Sequence, residues 1–530
     1  MAALQTCPPE VLDVIIHHLI LDIGIQKAVL LRSVKKAFDT AILHAICSCQ
    51  EVDVEDPATP CMIDRMEHHL RGQVLFSRSR SVSRCSKGYL QVIAKVNQAL
   101  DMLVEASSPE EVRARHEAIA ESAILAKDDY LPRLERQNLL SGAIIIGDIS
   151  TVRSVLLRDG PESEKATVSG TTPHFWEPLT LAASKGHQEI VQFLLDNGAR
   201  LETQAELWWQ DRHDLAQLAD WNLHDERRHH TVLHSSSPSA LRAAISGGHT
   251  GIVHLLLRLE HRLPTTSLEY LRAILTAAKV GRKDIMELVF DTIDQQLSDF
   301  ENLGKFIMWE AIRGDQAEIV QWVLDHGVDV NACPVRDYYP IRGTLHLAAS
   351  LGRTRLVELL LNRGANAIDG PPRGGYGGLP VEGAAMRGQR DAVELLLSHG
   401  ADPARALYAA AAGSQSWLIK HLLSNHPQLT DEITLRTCFH FAIASCSLTA
   451  MTILVQAGAS LNDCYEDDGV RLDTPINKAL KQHGFSWVGE HLISLGAYPT
   501  DAEWASTRTS DLKVREVVVT KRTWDWVGRY

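Results

Sequence analysis

Long apolar runs are missing from this chain. Stretches such as Val14-Ile15-Ile16 and Ala143-Ile144-Ile145-Ile146 fall far short of the ~20 residues that a membrane-spanning helix needs. Paired cysteines are missing as well. The nine cysteines sit at irregular spacings, Cys47 and Cys49 being the closest, and no CxxC occurs; this fits reduced thiols in the cytosol or nucleus and not a disulfide framework. There is no basic block. Lys and Arg number 53 against 66 Asp and Glu, a formal charge of -13, which argues against a phosphate-neutralising nucleic-acid binder. The opening MAALQTCPPEV has no basic segment followed by an apolar core, so no secretory signal is expected. No HExxH motif, phosphate loop or nucleophile–base pair is present, so no enzyme activity, metal or cofactor is expected. The segment GGYGG lacks the Lys-Ser/Thr that a phosphate loop requires.

What the chain does have is a folded protein's composition, 45% hydrophobic and 22% charged, over 530 residues. That length holds three or four average domains or one long array. The array is written into the sequence. LTLAASKGHQEIVQFLLDNGARLE from Leu179, LRAAISGGHTGIVHLLLRLEHRL from Leu241, LHLAASLGRTRLVELLLNRGANA from Leu345 and VEGAAMRGQRDAVELLLSHGADP from Val381 align with one another. Each has small residues, a Gly, a Val between polar residues and then an aliphatic triplet. Weaker copies start at Met308, Phe439 and Ile476, and Gly248, Gly281 and Gly314 recur every 33 residues.

Each position has a physical reason. Ala182-Ala183 and Ala348-Ala349 make the first helix slim enough for a close neighbour. Gly186, Gly352 and Gly388 end it where a left-handed backbone is favoured. Ile190, Val191, Leu194 and Leu195 form the apolar stripe of a second helix. Gly198, Gly364, Gly400 and Gly458 stop that helix before an extended finger.

Units of this kind resemble ankyrin repeats, and the resemblance spans roughly Gln137 to Thr500. It implies an all-α solenoid of about ten helix pairs that buries a continuous core and binds proteins on a concave face. Thr344-Leu345-His346 and Thr474-Pro475 keep parts of the family's opening. His346 and His440 fall at the family's His position, where the resemblance implies hydrogen bonds to neighbouring backbone.

Departures from the repeat mark where function was added. The largest, within 203–236, carries Trp208, Trp209 and Trp221 with five histidines. It reads either as an exposed aromatic hot spot for a partner or as an amphipathic helix burying its rings on neighbouring repeats. Insertions at 331–343 and 367–380 both follow a second helix and so lengthen fingers on one edge. The first displays Arg336, Tyr338, Tyr339 and Arg342, the second Arg373 and Tyr376. Tyr and Arg are the residues that most often carry interface energy; the competing reading is that both fingers are solvated spacers.

Ahead of the repeats, residues 49–136 read as helices, among them MIDRMEHHL, KGYLQVIAKVNQALDMLVEA and a segment capped by Ser108 with Pro109 behind it. FSRSRSVSRCSKG, from Phe76 to Gly88, reads as a solvated loop between helices, or as a segment for an acidic partner or phosphorylation. In TCPPEVLDVIIHHL the residues Val11, Leu12, Ile15, Ile16 and Leu19 make an apolar helical stripe, and a second follows through Leu31, Val34 and Phe38.

Together, within residues 1–48, these helices resemble an F-box. That family's module docks on the adaptor subunit of a cullin-type ubiquitin ligase while the rest of the chain captures a substrate. Carried onto this chain, the docking residues are Pro9, Glu10, Leu12, Ile15, Leu19, Leu31, Val34 and Phe38. The alternative is an N-terminal cap on the first repeat. Residues 501–530 read as a capping helix and a tail folded back on the array. The expectation is an intracellular scaffold, cytoplasmic or nuclear, that binds a protein and neither nucleic acid nor membrane.

Overall fold

A computed structural model describes residues 16, 68–79, 88–105, 108–124, 131–157, 165–201, 238–300, 302–332, 343–368, 378–462, 466–467, 470–471, 474–476, 479 and 487–498. Among these the fold is all-α apart from one two-residue hairpin. Ile16 is helical and fully buried.

Among the described residues, and beyond Ile16, three helices precede the repeats: α1 (His68–Ser79), α2 (Tyr89–Leu103) and α3 (Pro109–Ser122). The start of α3 follows from its sequence. Ser108 accepts a hydrogen bond from the Glu111 amide at 3.2 Å, Pro109 takes the first position, and Glu110 and Glu111 meet the positive end of the helix.

FSRSRSVSRCSKG is not wholly a loop, because Phe76 to Ser79 form the last turn of α1. Phe76 is buried, with the Arg113 guanidinium 5.8 Å from its ring centre and the His116 ring 6.4 Å away. The Ser79 hydroxyl donates to the Phe76 carbonyl, tying the turn down. Burial of one aromatic ring outweighs the polar alternation that suggested a loop.

Helix pairs follow in order. They are α4 (Glu135–Ile146) with α5 (Ile149–Leu157), α6 (Pro178–Lys185) with α7 (Gln188–Asp196), α8 (Ala240–Ser246) with α9 (Thr250–Leu256), and α10 (Leu268–Val280) with α11 (Lys283–Ile293). Next come α12 (Leu303–Arg313) with α13 (Ala317–Asp325), α14 (Thr344–Ser350) with α15 (Thr354–Asn362), and α16 (Pro380–Met386) with α17 (Arg390–Ser398). The last complete pairs are α18 (Pro403–Ala412) with α19 (Ser416–Asn425) and α20 (Glu432–Ala444) with α21 (Leu448–Gln456). The hairpin of β1 (Glu466–Asp467) and β2 (Val470–Arg471) is antiparallel, and α22 (Trp487–Ser494) is the second helix of a tenth unit.

Packing divides the described residues into two compact units. The first holds those up to Ala277 together with Asp284–Gln295; the second holds Ala278–Lys283 and those from Gln296 onward. Within the first, α2 and α3 cover α4, so the leading edge of the first pair is shielded by these helices. Gly142 permits that approach, since a Cβ there would come within 2.4 Å of Val96 Cγ1. Within the second, α12, α14, α16, α18 and α20 pack in sequence as one layer of first helices.

Small residues make the stacking possible. Ala348, Ala349, Ala384, Ala385, Ala410, Ala411 and Ala442 are all fully buried. The second helices add aliphatic stripes: Leu356, Val357 and Leu360 in α15, and Leu418, Ile419 and Leu422 in α19. Each such side chain contributes on the order of 1.5–3 kcal/mol on burial. In α7 the buried members are Ile190, Val191 and Leu194, while Leu195 is only partly covered.

One glycine behaves differently from its sequence frame. Gly186, Gly352 and Gly388 are left-handed as expected, but Gly314 has φ -81° and its neighbour Asp315 takes the left-handed place at φ 61°. Gly314 is needed for another reason. A Cβ there would lie 1.8 Å from the Lys279 carbonyl oxygen, so only glycine lets the two backbones touch.

Candidate partner-binding surface

Several successive repeats are fastened by a polar side chain just ahead of the second helix. His187 Nε2 lies 3.3 Å from the Ile145 carbonyl, and His249 Nε2 lies 3.1 Å from the Ser184 carbonyl. In the second unit Gln415 takes this role, its Nε2 donating to the Met386 and Gly413 carbonyls at 3.2 and 3.0 Å. The aligned copies carry the signal for these residues, since His187 and His249 each follow a glycine in the same register. His346 and His440, at the position where the ankyrin resemblance places a bonding histidine, are set differently. His346 is buried with its ring against Gly383 of the next unit, and His440 is half-buried.

The His249–Ser184 contact bears on the longest insertion. Helix α6 packs directly on α8, and α7 on α9. The repeat pattern of the sequence is interrupted between Leu201 and Pro238, yet the stack of helices on either side is continuous. Leu201 and Ser239, at the two edges of that stretch, come together in lining one small recess with Leu241, Leu263, Glu269 and Tyr270.

That junction is locked by charge. Ser239 caps α8 by accepting from the Arg242 amide at 3.2 Å, and its hydroxyl donates to Glu269. Glu269, fully buried at the start of α10, also accepts from Arg242 Nε at 2.7 Å and faces Arg272 Nη1 at 3.6 Å. A buried carboxylate is tolerable only with such partners. The Tyr270 hydroxyl donates to the Leu263 carbonyl at 2.8 Å, and burial pushes its pKa up.

The two shorter insertions spring from adjacent repeats of the second unit, after α13 and after α15. Their bases are bonded together: the Asn366 amide donates to Asn331 Oδ1 at 3.1 Å, across 35 residues of sequence. Asn366 Oδ1 in turn accepts from the Ile368 amide at 2.9 Å, and Ile368 is 58% exposed. The Thr344 hydroxyl, at the start of α14, donates to the Val330 carbonyl. Ion pairs brace the same repeats, Arg363 to Asp325 at 2.9 Å and Arg353 to Asp315 at 3.3 Å. The described residues at the starts of the two insertions thus lie together.

The residues singled out as partner contacts lie outside the described residues. This holds for Trp208, Trp209 and Trp221, for Arg336, Tyr338, Tyr339 and Arg342, for Arg373 and Tyr376, and for Pro9, Glu10, Leu12, Ile15, Leu19, Leu31, Val34 and Phe38. The C-terminal 501–530 lies outside them too. Among the described residues no group of three or more His, Cys, Asp or Glu is placed to hold a metal, and no helix is long and apolar enough to cross a membrane.

With the helix pairs and their latches in place, the comparisons with known proteins can be set beside them. The Ankyrin repeat family model matches residues 176–204, which hold α6 and α7, and 344–369, which hold α14 and α15. These two stretches are ankyrin repeats. The chain is 28% identical over 335 residues to a Caenorhabditis briggsae protein named "Ankyrin repeat and KH domain-containing protein CBG24701", covering 60% of this chain and 11% of that one. It is 27% identical over 128 residues to the "Probable 26S proteasome regulatory subunit p28" of Saccharomyces cerevisiae, covering 24% of this chain and 54% of that one. The chain therefore spans about a tenth of one curated relative and about half of the other. A crystal structure of the human ASB11 ankyrin repeat domain aligns over 42% of this chain and 98% of that one, at 21% identity and a TM-score of 0.31. Other helix pairs repeat the arrangement of the matched stretches, first helix packed on first helix.

Proposed function

We propose that this ankyrin array captures a protein through its lengthened fingers and delivers it to a ubiquitin ligase through the N-terminal 48 residues. The observation that supports the first half is the Asn331–Asn366 hydrogen bond, which joins the residues from which the two insertions start on adjacent repeats. On this reading Arg336, Tyr338, Tyr339 and Arg342 of one insertion and Arg373 and Tyr376 of the other contact the captured protein, Tyr and Arg being suited to a protein surface. Trp208, Trp209 and Trp221 of the longest insertion offer a separate aromatic contact.

The second half rests on the resemblance of Pro9, Glu10, Leu12, Ile15, Leu19, Leu31, Val34 and Phe38 to an F-box. It is favoured by the position of α2 and α3 over α4, since the first repeat already has a cover supplied by these helices. A relative named as a proteasome subunit lends the degradation reading some support.

Affinity purification from cells tests both halves. Recovery of a cullin-ligase adaptor, lost in the Leu12→Asp plus Ile15→Asp variant whose repeats still unfold at the wild-type temperature, is the expected result. An intact chain that recovers no adaptor contradicts the ligase half and leaves the scaffold half standing.

A further inference from the structure

We draw no further inference here: the strongest candidate, the small recess at the starts of α8 and α10 beside the buried Glu269 carboxylate, carries nothing, because Ser239 and Arg242 already hold that carboxylate and nothing in the structure shows what covers the recess.

Discussion

His249 reaches back 65 residues to the Ser184 carbonyl, closing the stack across the longest insertion in the chain. Helices α6 and α8 pack directly on each other across that gap in sequence. Replacing 202–237 by a short Gly-Ser linker is expected to leave the helical circular-dichroism signal and the unfolding temperature nearly unchanged. His249→Ala, by contrast, leaves the Ser184 carbonyl without this partner and is expected to cost about 1 kcal/mol. Chemical denaturation of the two variants checks both outcomes.

Two glycines on the first-helix layer give opposite predictions. Alanine at 314 drives a Cβ to 1.8 Å from the Lys279 carbonyl oxygen, whereas at 343 it meets nothing within 4 Å. Gly314→Ala is expected to destabilise by about 1–3 kcal/mol through backbone displacement. Gly343→Ala, at an N-cap, is expected to cost below about 1 kcal/mol. Urea midpoints at unchanged slope measure the difference.

Acid sensitivity follows from two capping aspartates. At Asp148, burial alone would raise the pKa, but hydrogen bonds from the Ser150 and Thr151 hydroxyls and amides outweigh it and hold the carboxyl below its ordinary range. At Asp431, hydrogen bonds from the Thr434 side chain and amide do the same. A depressed folded pKa means stability that is present above the unfolded value and lost as pH falls through the folded one. Asp148→Ala and Asp431→Ala are each expected to cost about 1 kcal/mol at neutral pH. The gap to wild type should narrow below about pH 4, as thermal melts across that range would record.

Thiol reactivity offers a separate check on the core. Cys438 is fully buried in α20 and its thiol is pushed well up, chiefly by burial, whereas Cys446 is partly exposed. Iodoacetamide on the native protein should label Cys446 and spare Cys438, with both labelled in denaturant. Peptide mass spectrometry distinguishes the two sites.

Much of the fold was legible because ankyrin units repeat their physics. The alanine pair, the glycine stop and the aliphatic triplet dictate one helix pair each, and ten registers of that pattern leave little choice of architecture. What escaped the sequence is interaction between units. Gly314 looks like any other helix-ending glycine, and only the nearness of Lys279 reveals why it is there. The Glu269–Arg242 lock spans 27 residues with no periodic signature. Phe76 sits in a Ser/Arg run that reads as solvated until Arg113 and His116 are seen around its ring. Tyr408 and Phe441 were hidden for a similar reason: each is a single departure in its own helix, and stacking alone makes them a pair. That the two shorter insertions start from adjacent repeats, in contrast, followed from their succession in the array, and the Asn331–Asn366 bond joins the residues from which they start.

The claim at the centre of this account is that the lengthened fingers hold the captured protein. Quantitative affinity purification of wild type beside a variant carrying Arg336→Glu, Tyr338→Ala, Tyr339→Ala and Arg342→Glu tests it most directly. The account predicts that specific partner proteins recovered with wild type disappear from the variant, while its thermal unfolding is unchanged. Recovery of the same proteins in the same amounts by a folded variant would contradict it.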